Sequence, residues 1–372
     1  MLQKLLEARD RLLVNPRFTR FASSVPGLRW IARRRARAVF DLVAGFVYSQ
    51  VLRAYVELKV FTIVSGRRLT VTELAATVKL SVDACERLVT AAAALRLLEH
   101  RAGGVIGLGA LGAPLVANEG LQNLVLHHAA LYSDLDEPVA LLRGERTDTR
   151  MRGYWPYASV EHPDQLHGDQ SSTYSALMSS TQSLIVDEVL AAYSFRDHTC
   201  LMDVGGGEGV FLRGVGERWP QLQLKLFDLP PVVARAQQQF AACGFSDRAG
   251  TTGGDFFNDP LPAHAVSGAD IVSLVRVLHD HDDARVSHLL RSVAAALPAG
   301  GTLLVAEPLA EISGAEAVGG AYFGFYFLAM GRGAARSFAR LSQLIGDAGF
   351  RDIRLLPTRI PLQTSVIVAK RS

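Results

Sequence analysis

Apolar positions change their period once along this chain. Up to about residue 195 they recur with the spacing of helices, and beyond it short β-rich runs alternate with helical ones. Between Arg33 and Val64, the residues Phe40, Val43, Ala44, Val47, Val51 and Leu52 fall at i, i+3 and i+4 intervals. This predicts a strongly apolar helix, buried or dimer-forming rather than a membrane anchor. Two shorter helices follow, 72-TELAATVK-79, opened at Thr72, and 82-VDACERLVTAAAALRLLEH-100, capped by Ser81. A glycine-containing hairpin, 103-GGVIGLGALG-112, completes the outline of a winged helix-turn-helix. In the second half, strands are predicted at Leu201 to Val204, in 222-LQLKLFDLP-230, before 253-GGDFF-257, at the start of 269-ADIVSLVRVLHDHDDARV-286 and in 302-TLLVAEPL-309. The pair 350-FRDIRLLP-357 and 362-LQTSVIVAK-370 reads as a β-hairpin closing the sheet. The alternation predicts an α/β, doubly wound layer over 196–372 behind a helical domain over 1–195.

Composition narrows the classes. With 372 residues, 49% hydrophobic and 20% charged, the chain has material for two or three domains with large cores, which excludes dominant disorder. Its net charge of +3 lacks the broad single-sign field of a protein that wraps nucleic acid. The charge is uneven, however: residues 1–40 carry ten Lys or Arg against Glu7 and Asp10, so this tip is +8 and the remainder −5. Attraction to an anionic surface would act there. The second helix of the winged motif shows Asp83, Glu86 and Arg87, a scaffolding or dimerisation face rather than a phosphate-binding one, so no nucleic-acid partner is expected. Cys85, Cys200 and Cys243 are far apart, which supports neither a disulfide framework nor a structural zinc site and points to a reducing cytoplasm. Charges from Lys4 onward interrupt any secretory signal, and the run Leu42 to Leu52 is far shorter than the roughly 20 residues a bilayer needs. The chain is expected to be soluble or peripheral.

The candidate chemistry lies at strand ends. After Val204 comes Gly205-Gly206-Gly207-Glu208-Gly209, where glycines let the backbone approach a ligand at the start of a helix. Asp228 ends the next strand, 19 residues beyond Gly209, where a carboxylate accepts hydrogen bonds from ribose hydroxyls; a helix cap is the alternative. The spacing Asp-x-Gly-x-Gly-x-Gly from Asp203 favours a nucleoside without pyrophosphate. Asp255 is placed to bond an adenine amine with Phe256 against the ring. The tip His279-Asp280-His281-Asp282-Asp283 and Glu307 end the fourth and fifth strands. His127, His128, His162, His167 and His281 show no consistent ligand spacing, so no metal is expected.

The ordered set DVGGGEG, LFDLP, GGDFF, VLHDHDD and LLVAEPL, behind a winged-helix half, resembles the S-adenosylmethionine-dependent O-methyltransferases related to plant caffeate and bacterial polyketide enzymes, over almost the whole chain. The resemblance implies a Rossmann-like class I methyltransferase domain over 196–372, and a dimerising N-terminal domain over 1–195 that also lines the substrate cavity. It implies in-line methyl transfer from S-adenosylmethionine to a hydroxyl, releasing S-adenosylhomocysteine, in a metal-free homodimer. His279 matches the family's general base, with Asp280 its polar neighbour or a helix cap, and Glu307 the carboxylate that orients it. Asp203, Gly205, Gly207, Asp228, Leu229, Asp255 and Phe256 take the cofactor positions. Val275 stands where the family has a cofactor-binding lysine, with Arg276 beside it as a substitute, and Ala335 stands where phenol-methylating members carry a second glutamate. Met178 matches a cavity-lining methionine, with a core methionine as the alternative. Tyr322, Phe323 and Tyr326, with Phe325 and Phe327 in 320-GAYFGFYFLAM-330 and the segment 122-QNLVLHHAALY-132, are candidates for an apolar acceptor wall or for core. The run 32-ARRRARAVFDLVAGFVYSQVLRAYVELKVF-61 is similar to the branch that methylates the 1-hydroxyl of carotenoids in purple photosynthetic bacteria. That branch implies an apolar hydroxylated acceptor and a cytoplasmic enzyme with peripheral contact at the photosynthetic inner membrane. A phenolic polyketide or a bacteriochlorophyllide is the alternative acceptor, and a DNA-binding regulator the alternative class.

Overall fold

Asn118 and Glu119 mark the division of the chain into two units in a computed structural model, which describes residues 1–154, 182, 185–361 and 363–372. The change of periodicity near 195 therefore does not coincide with the change of packing.

The first unit begins with three helices, α1 (Leu2–Val14), α2 (Pro16–Ser24) and α3 (Pro26–Glu57), the last two opened by a proline whose missing N–H costs nothing in a first turn. It continues through α4 (Val60–Val64), β1 (Leu69–Thr70), α5 (Val71–Val78), α6 (Val82–Ala94), β2 (Leu98–Arg101) and β3 (Val105–Leu108). The strands pair antiparallel in the order β1-β3-β2, the layout of a winged helix. Ser81 caps α6 by accepting from Ala84 N at 3.2 Å. The cap of α5 is Thr70 rather than Thr72: its hydroxyl accepts from Glu73 N while the Glu73 carboxylate returns to Thr70 N, a reciprocal capping box. Helix α6 stops at Ala94 instead of running to residue 100. Arg96 turns left-handed at φ 61°, Leu97 N bonds back to Ala92 O, and Leu98 joins β2 opposite Leu108. Pairing with β3 buries Leu98 and Ile106, an outcome that the helical spacing of the leucines does not reveal. Tyr55 is fully buried and donates its hydroxyl to Leu97 O at 3.3 Å, anchoring the end of α3.

The helix α3 departs from expectation in its length: it is long and apolar enough, by length and composition alone, to cross a membrane. Tyr55 and Val56 at its end are buried, whereas Phe40 at 63%, Leu42 at 83% and Phe46 at 71% are exposed in the single chain, which removes the buried alternative for these positions and leaves the dimer-forming one.

The second unit opens with α7 (Glu119–Asp134), α8 (Pro138–Leu142) and α9 (Arg150–Tyr154). Its sheet uses β4 (Cys200–Val204), β5 (Gln223–Asp228), β6 (Ala249–Gly253), β7 (Ile271–Val275), β8 (Thr302–Glu307), β9 (Phe350–Leu356) and β10 (Ser365–Arg371). The helices between them are α10 (Val210–Arg218), α11 (Pro230–Ala242), α12 (His264–Ser267), α13 (Asp283–Ala296), α14 (Phe323–Met330) and α15 (Phe338–Asp347). Strand order is β6-β5-β4-β7-β8-β10-β9, parallel except for β10, which lies antiparallel between β8 and β9. Alternate residues of the buried strands face opposite layers: Met202, Val272, Leu303 and Ile367 pack with α13 and α15, while Leu201, Ile271, Leu304 and Val366 pack with α10 and α11. Strand order reverses between β4 and β7, which opens a crevice at the carboxyl ends of the parallel strands. Helices α7 and α9 belong to this unit because they pack on α14; the buried Asp134 carboxylate caps α9 by accepting from Arg150 N and Met151 N, both at 2.8 Å.

Phe211 is fully buried in α10, edge to face with Phe195 in the layer that packs on Leu201 and Leu224. Phe211→Ala is expected to cost about 3–5 kcal/mol in urea unfolding. Phe325→Ala, at a position 38% exposed, is expected to cost under about 1 kcal/mol.

Candidate active site

The carboxyl ends of β4 to β8 bring most of the anticipated residues to one edge of the sheet. Beyond β4 the chain enters a turn in which Gly205, Gly207 and Gly209 take φ of 71°, 59° and 76°, a region L side chains rarely adopt. Gly206 is required for space: a Cβ there would sit 2.4 Å from Asp203 Oδ2. Asp203 is fully buried and accepts from Ser273 Oγ at 2.6 Å, while its other oxygen has no hydrogen-bond partner among the described residues. Burial, opposed by that hydrogen bond, pushes its pKa up to about 7. Asp228 folds back on the glycine turn, accepting from Gly207 N at 2.8 Å and from Leu229 N at 2.7 Å. Burial outweighs these bonds and raises its pKa to about 6.

Past β6, Asp255 spends both oxygens on its own turn, accepting from Phe257 N at 2.9 Å and Asn258 Nδ2 at 2.7 Å. Phe256 meets Phe257 edge to face at 4.7 Å and lies close to Gly205, where an added Cβ would come within 3.5 Å of its ring. Val275 is buried in β7, so the side chain that emerges at that strand end is Arg276, half-buried at φ 60°.

His279 lies just beyond, in the short turn Leu278–Asp280, and is 8% exposed. Its Nδ1 contacts Glu307 Oε2 at the end of β8 in a very short hydrogen bond. The other Glu307 oxygen accepts from Val277 N at 2.9 Å and Leu278 N at 2.6 Å, so one carboxylate fixes both the ring and the backbone that carries it. Asp280 Oδ1 stands 3.2 Å from Nε2, outside hydrogen-bond geometry. Burial by itself would lower the pKa of His279, yet the carboxylates of Asp280 and Glu307 overcome it and the net shift is upward. His281, wedged edge-on against Phe256 and Phe257, is pushed the other way, to about 3, by burial and neighbouring arginines.

An aromatic wall adjoins the imidazole. Phe327 of α14 lies 5.4 Å from the His279 ring and stacks on Phe323 at 5.6 Å. Tyr322 and Tyr326 project toward α7, where their hydroxyls meet His128 Nε2 at 2.8 Å and His127 Nε2 at 2.9 Å. Burial drives both histidines down to about 4, so these pairs are neutral at physiological pH. Tyr322, Phe323 and Tyr326 thus join one cluster, with Met151 and Met330. Met178, His162 and His167 lie outside the described residues. Among the described residues, no group of three or more His, Cys, Asp or Glu is arranged to hold a metal ion.

Arg336 is a residue beside His279 that sequence reasoning misses. It is buried, and its guanidinium donates to Leu278 O at 2.8 Å, His281 O at 2.5 Å and Asp283 Oδ1 at 2.6 Å. It therefore clamps the loop on both sides of His279. Ala334 N adds a bond to His279 O at 2.9 Å. Ala335, in place of an acid, presents its methyl to the aromatic cluster. No local signal marks Arg336, since its partners are more than fifty positions away in sequence.

Comparison with known proteins gives the following. Residues 132–351 match an O-methyltransferase domain and residues 40–117 an O-methyltransferase dimerisation domain. The demethylspheroidene O-methyltransferase of Cereibacter sphaeroides is 41% identical over 97% of this chain and 94% of its own length. That of Rhodobacter capsulatus is 38% identical over 97% and 88%. Among solved structures, the calicheamicin-biosynthesis methyltransferase CalO1 with bound S-adenosylhomocysteine has a TM-score of 0.76 at 25% identity, covering 91% of this chain and 98% of that one. Human N-acetylserotonin methyltransferase with S-adenosylmethionine has a TM-score of 0.73 at 26% identity, covering 91% and 98%.

Arg336→Met strips two backbone carbonyls and Asp283 of a buried donor, and is expected to lower stability by about 2–3 kcal/mol in urea unfolding. Arg340→Ala, which removes the exposed partner of the same Asp283, is expected to cost under about 1 kcal/mol.

Proposed function

The chain belongs to the S-adenosylmethionine-dependent O-methyltransferases that carry an O-methyltransferase dimerisation domain, and from that premise we propose that it methylates the tertiary hydroxyl of a 1-hydroxy carotenoid. The observation that carries this reading is the 41% identity, over nearly the full length of both chains, to a demethylspheroidene O-methyltransferase. The wall beside His279 agrees with it: Phe327, Phe323 and the Ala335 methyl offer a long apolar acceptor an apolar surface, and no acid stands at 335 to engage a phenol. The N-terminal unit would build a homodimer. The enzyme would be cytoplasmic, and because a carotenoid resides in a bilayer, it would work in peripheral contact with the photosynthetic membrane. The exposed face of α6 carries the Asp83–Arg87 ion pair, so no nucleic acid enters this reading.

The residues at the strand ends suit the cofactor, which supplies the methyl group when bound. The tight turn at Gly205 and Gly207 admits a ligand against bare backbone, and the buried Asp203 carboxylate lies close beneath Gly206. Asp228, with Leu229 beside it, would take the ribose hydroxyls, Asp255 and Phe256 the adenine, and Arg276 the polar end that the family's lysine serves. Tyr322, Phe323, Tyr326 and Met178 would line the acceptor side.

His279 acts as the general base. Glu307 holds the Nδ1 proton, which leaves Nε2 as the basic nitrogen for the acceptor hydroxyl, and Asp280 steadies the imidazolium that forms. A tertiary alcohol is too weak an acid to give a standing alkoxide near neutral pH, so its proton passes to Nε2 as the carbon–oxygen bond forms and the carbon–sulfur bond breaks. Much of the acceleration would then come from holding the oxygen in line, to which a His279 loop fixed by Glu307 and Arg336 would contribute.

His279→Ala is expected to lower methyl transfer about 10²–10⁴-fold with cofactor affinity unchanged. Undiminished turnover would reject the base. The base must be neutral to work, so turnover falls as pH drops through its raised pKa. Glu307→Gln removes a charge that holds the proton, and the acid limb of the kcat profile should move to lower pH; a limb that stays in place contradicts the assignment. With radiolabelled S-adenosylmethionine, label is expected on detergent-dispersed 1-hydroxy carotenoid. Label only on catechol or bacteriochlorophyllide would keep the family and overturn the acceptor.

A further inference from the structure

Residues 1–39 precede the segment that matches the dimerisation domain, which starts at residue 40. They form α1, α2 and the first part of α3, and no residue of α1 or α2 is buried. Along α1, Leu2, Leu5, Leu6, Leu12 and Leu13 share one arc, which Arg9 also enters, with Lys4, Glu7 and Arg11 opposite and Asp10 at its flank. The apolar positions continue through Phe21, Leu28 and Ile31 to Trp30, which is 65% exposed and lies 5.6 Å from the Arg34 guanidinium. Around them stand ten Lys or Arg of residues 1–40. The ion pairs that this basic segment makes among the described residues are Arg9–Asp10 and Arg37–Asp41. Exposed apolar side chains with this charge, outside the dimerisation segment, match a bilayer interface: leucines and Trp30 enter the acyl boundary and arginines meet headgroup phosphates.

We propose that α1, α2 and the start of α3 dock this protein on an anionic lipid bilayer. The inference rests on the peripheral contact of the proposed function and gives it a surface. Vesicle binding needs no acceptor, so its failure and the failure of the carotenoid reading are separate results.

The test is sedimentation of the full chain with vesicles of phosphatidylcholine alone or mixed equally with phosphatidylglycerol, at low and high salt. A variant carrying Arg33→Gln, Arg34→Gln, Arg35→Gln and Arg37→Gln, all at exposed positions, is run in parallel. The expected result is binding to the anionic vesicles, released by salt, with at least a ~100-fold weaker partition for the variant, since each basic residue near such a surface contributes roughly fivefold. Equal partition onto neutral and anionic vesicles overturns the proposal, as does an unweakened variant. Protein that resists both salt and alkaline carbonate also overturns it, because α3 would then span the bilayer. So does a variant whose oligomeric state changes in ultracentrifugation while its partition does not.

Discussion

Glu307 is the interaction on which the rest of the site depends. A carboxylate only 2% exposed survives in a sheet edge because it is saturated with donors, two backbone N–H groups and an imidazole. Those donors are consecutive, Val277, Leu278 and His279, so one side chain at the end of β8 sets the path by which the chain leaves β7. The same contact selects the imidazole tautomer and, with Asp280, biases the ring toward its protonated form. Loop geometry and acid–base character are one property here.

The opposite side of that loop is held by Arg336, whose three bonds reach Leu278, His281 and Asp283. Between the two clamps His279 has little freedom, and Phe327 limits it further. In the proposed reaction of a weakly acidic alcohol, such rigidity would matter more than base strength, since no ground-state alkoxide would accumulate and alignment would carry the barrier reduction. The aromatic wall is kept uncharged by neutral His–Tyr pairs, in which four polar groups satisfy one another without placing a charge beside Phe323 and Phe327.

The N-terminal unit shows a different economy. Its winged-helix layout encloses a small core around Tyr55, Leu74, Cys85 and Ile106, while α3 leaves Phe40, Leu42 and Phe46 uncovered in one protomer. An uncovered apolar stretch of this length implies a partner, and the match of residues 40–117 to a dimerisation domain supplies one for the part beyond residue 39.

The parallel sheet and its ligand edge were legible in the sequence, because buried strands separated by helical spacing have one economical arrangement and glycines and acids fall at the strand ends. Asp228, His279 and Glu307 were therefore placed by position alone. The end of α6 was not, since Leu95, Leu97 and Leu98 suit a helix face or a strand until β3 is present to bury Leu98. Tertiary structure alone decided that α7 and α9 join the second unit through α14, and that β10 enters between β8 and β9. It also decided the pairing of His127 and His128 with tyrosines almost two hundred residues away, and the role of Arg336. These are contacts between residues distant in sequence, which local periodicity does not encode.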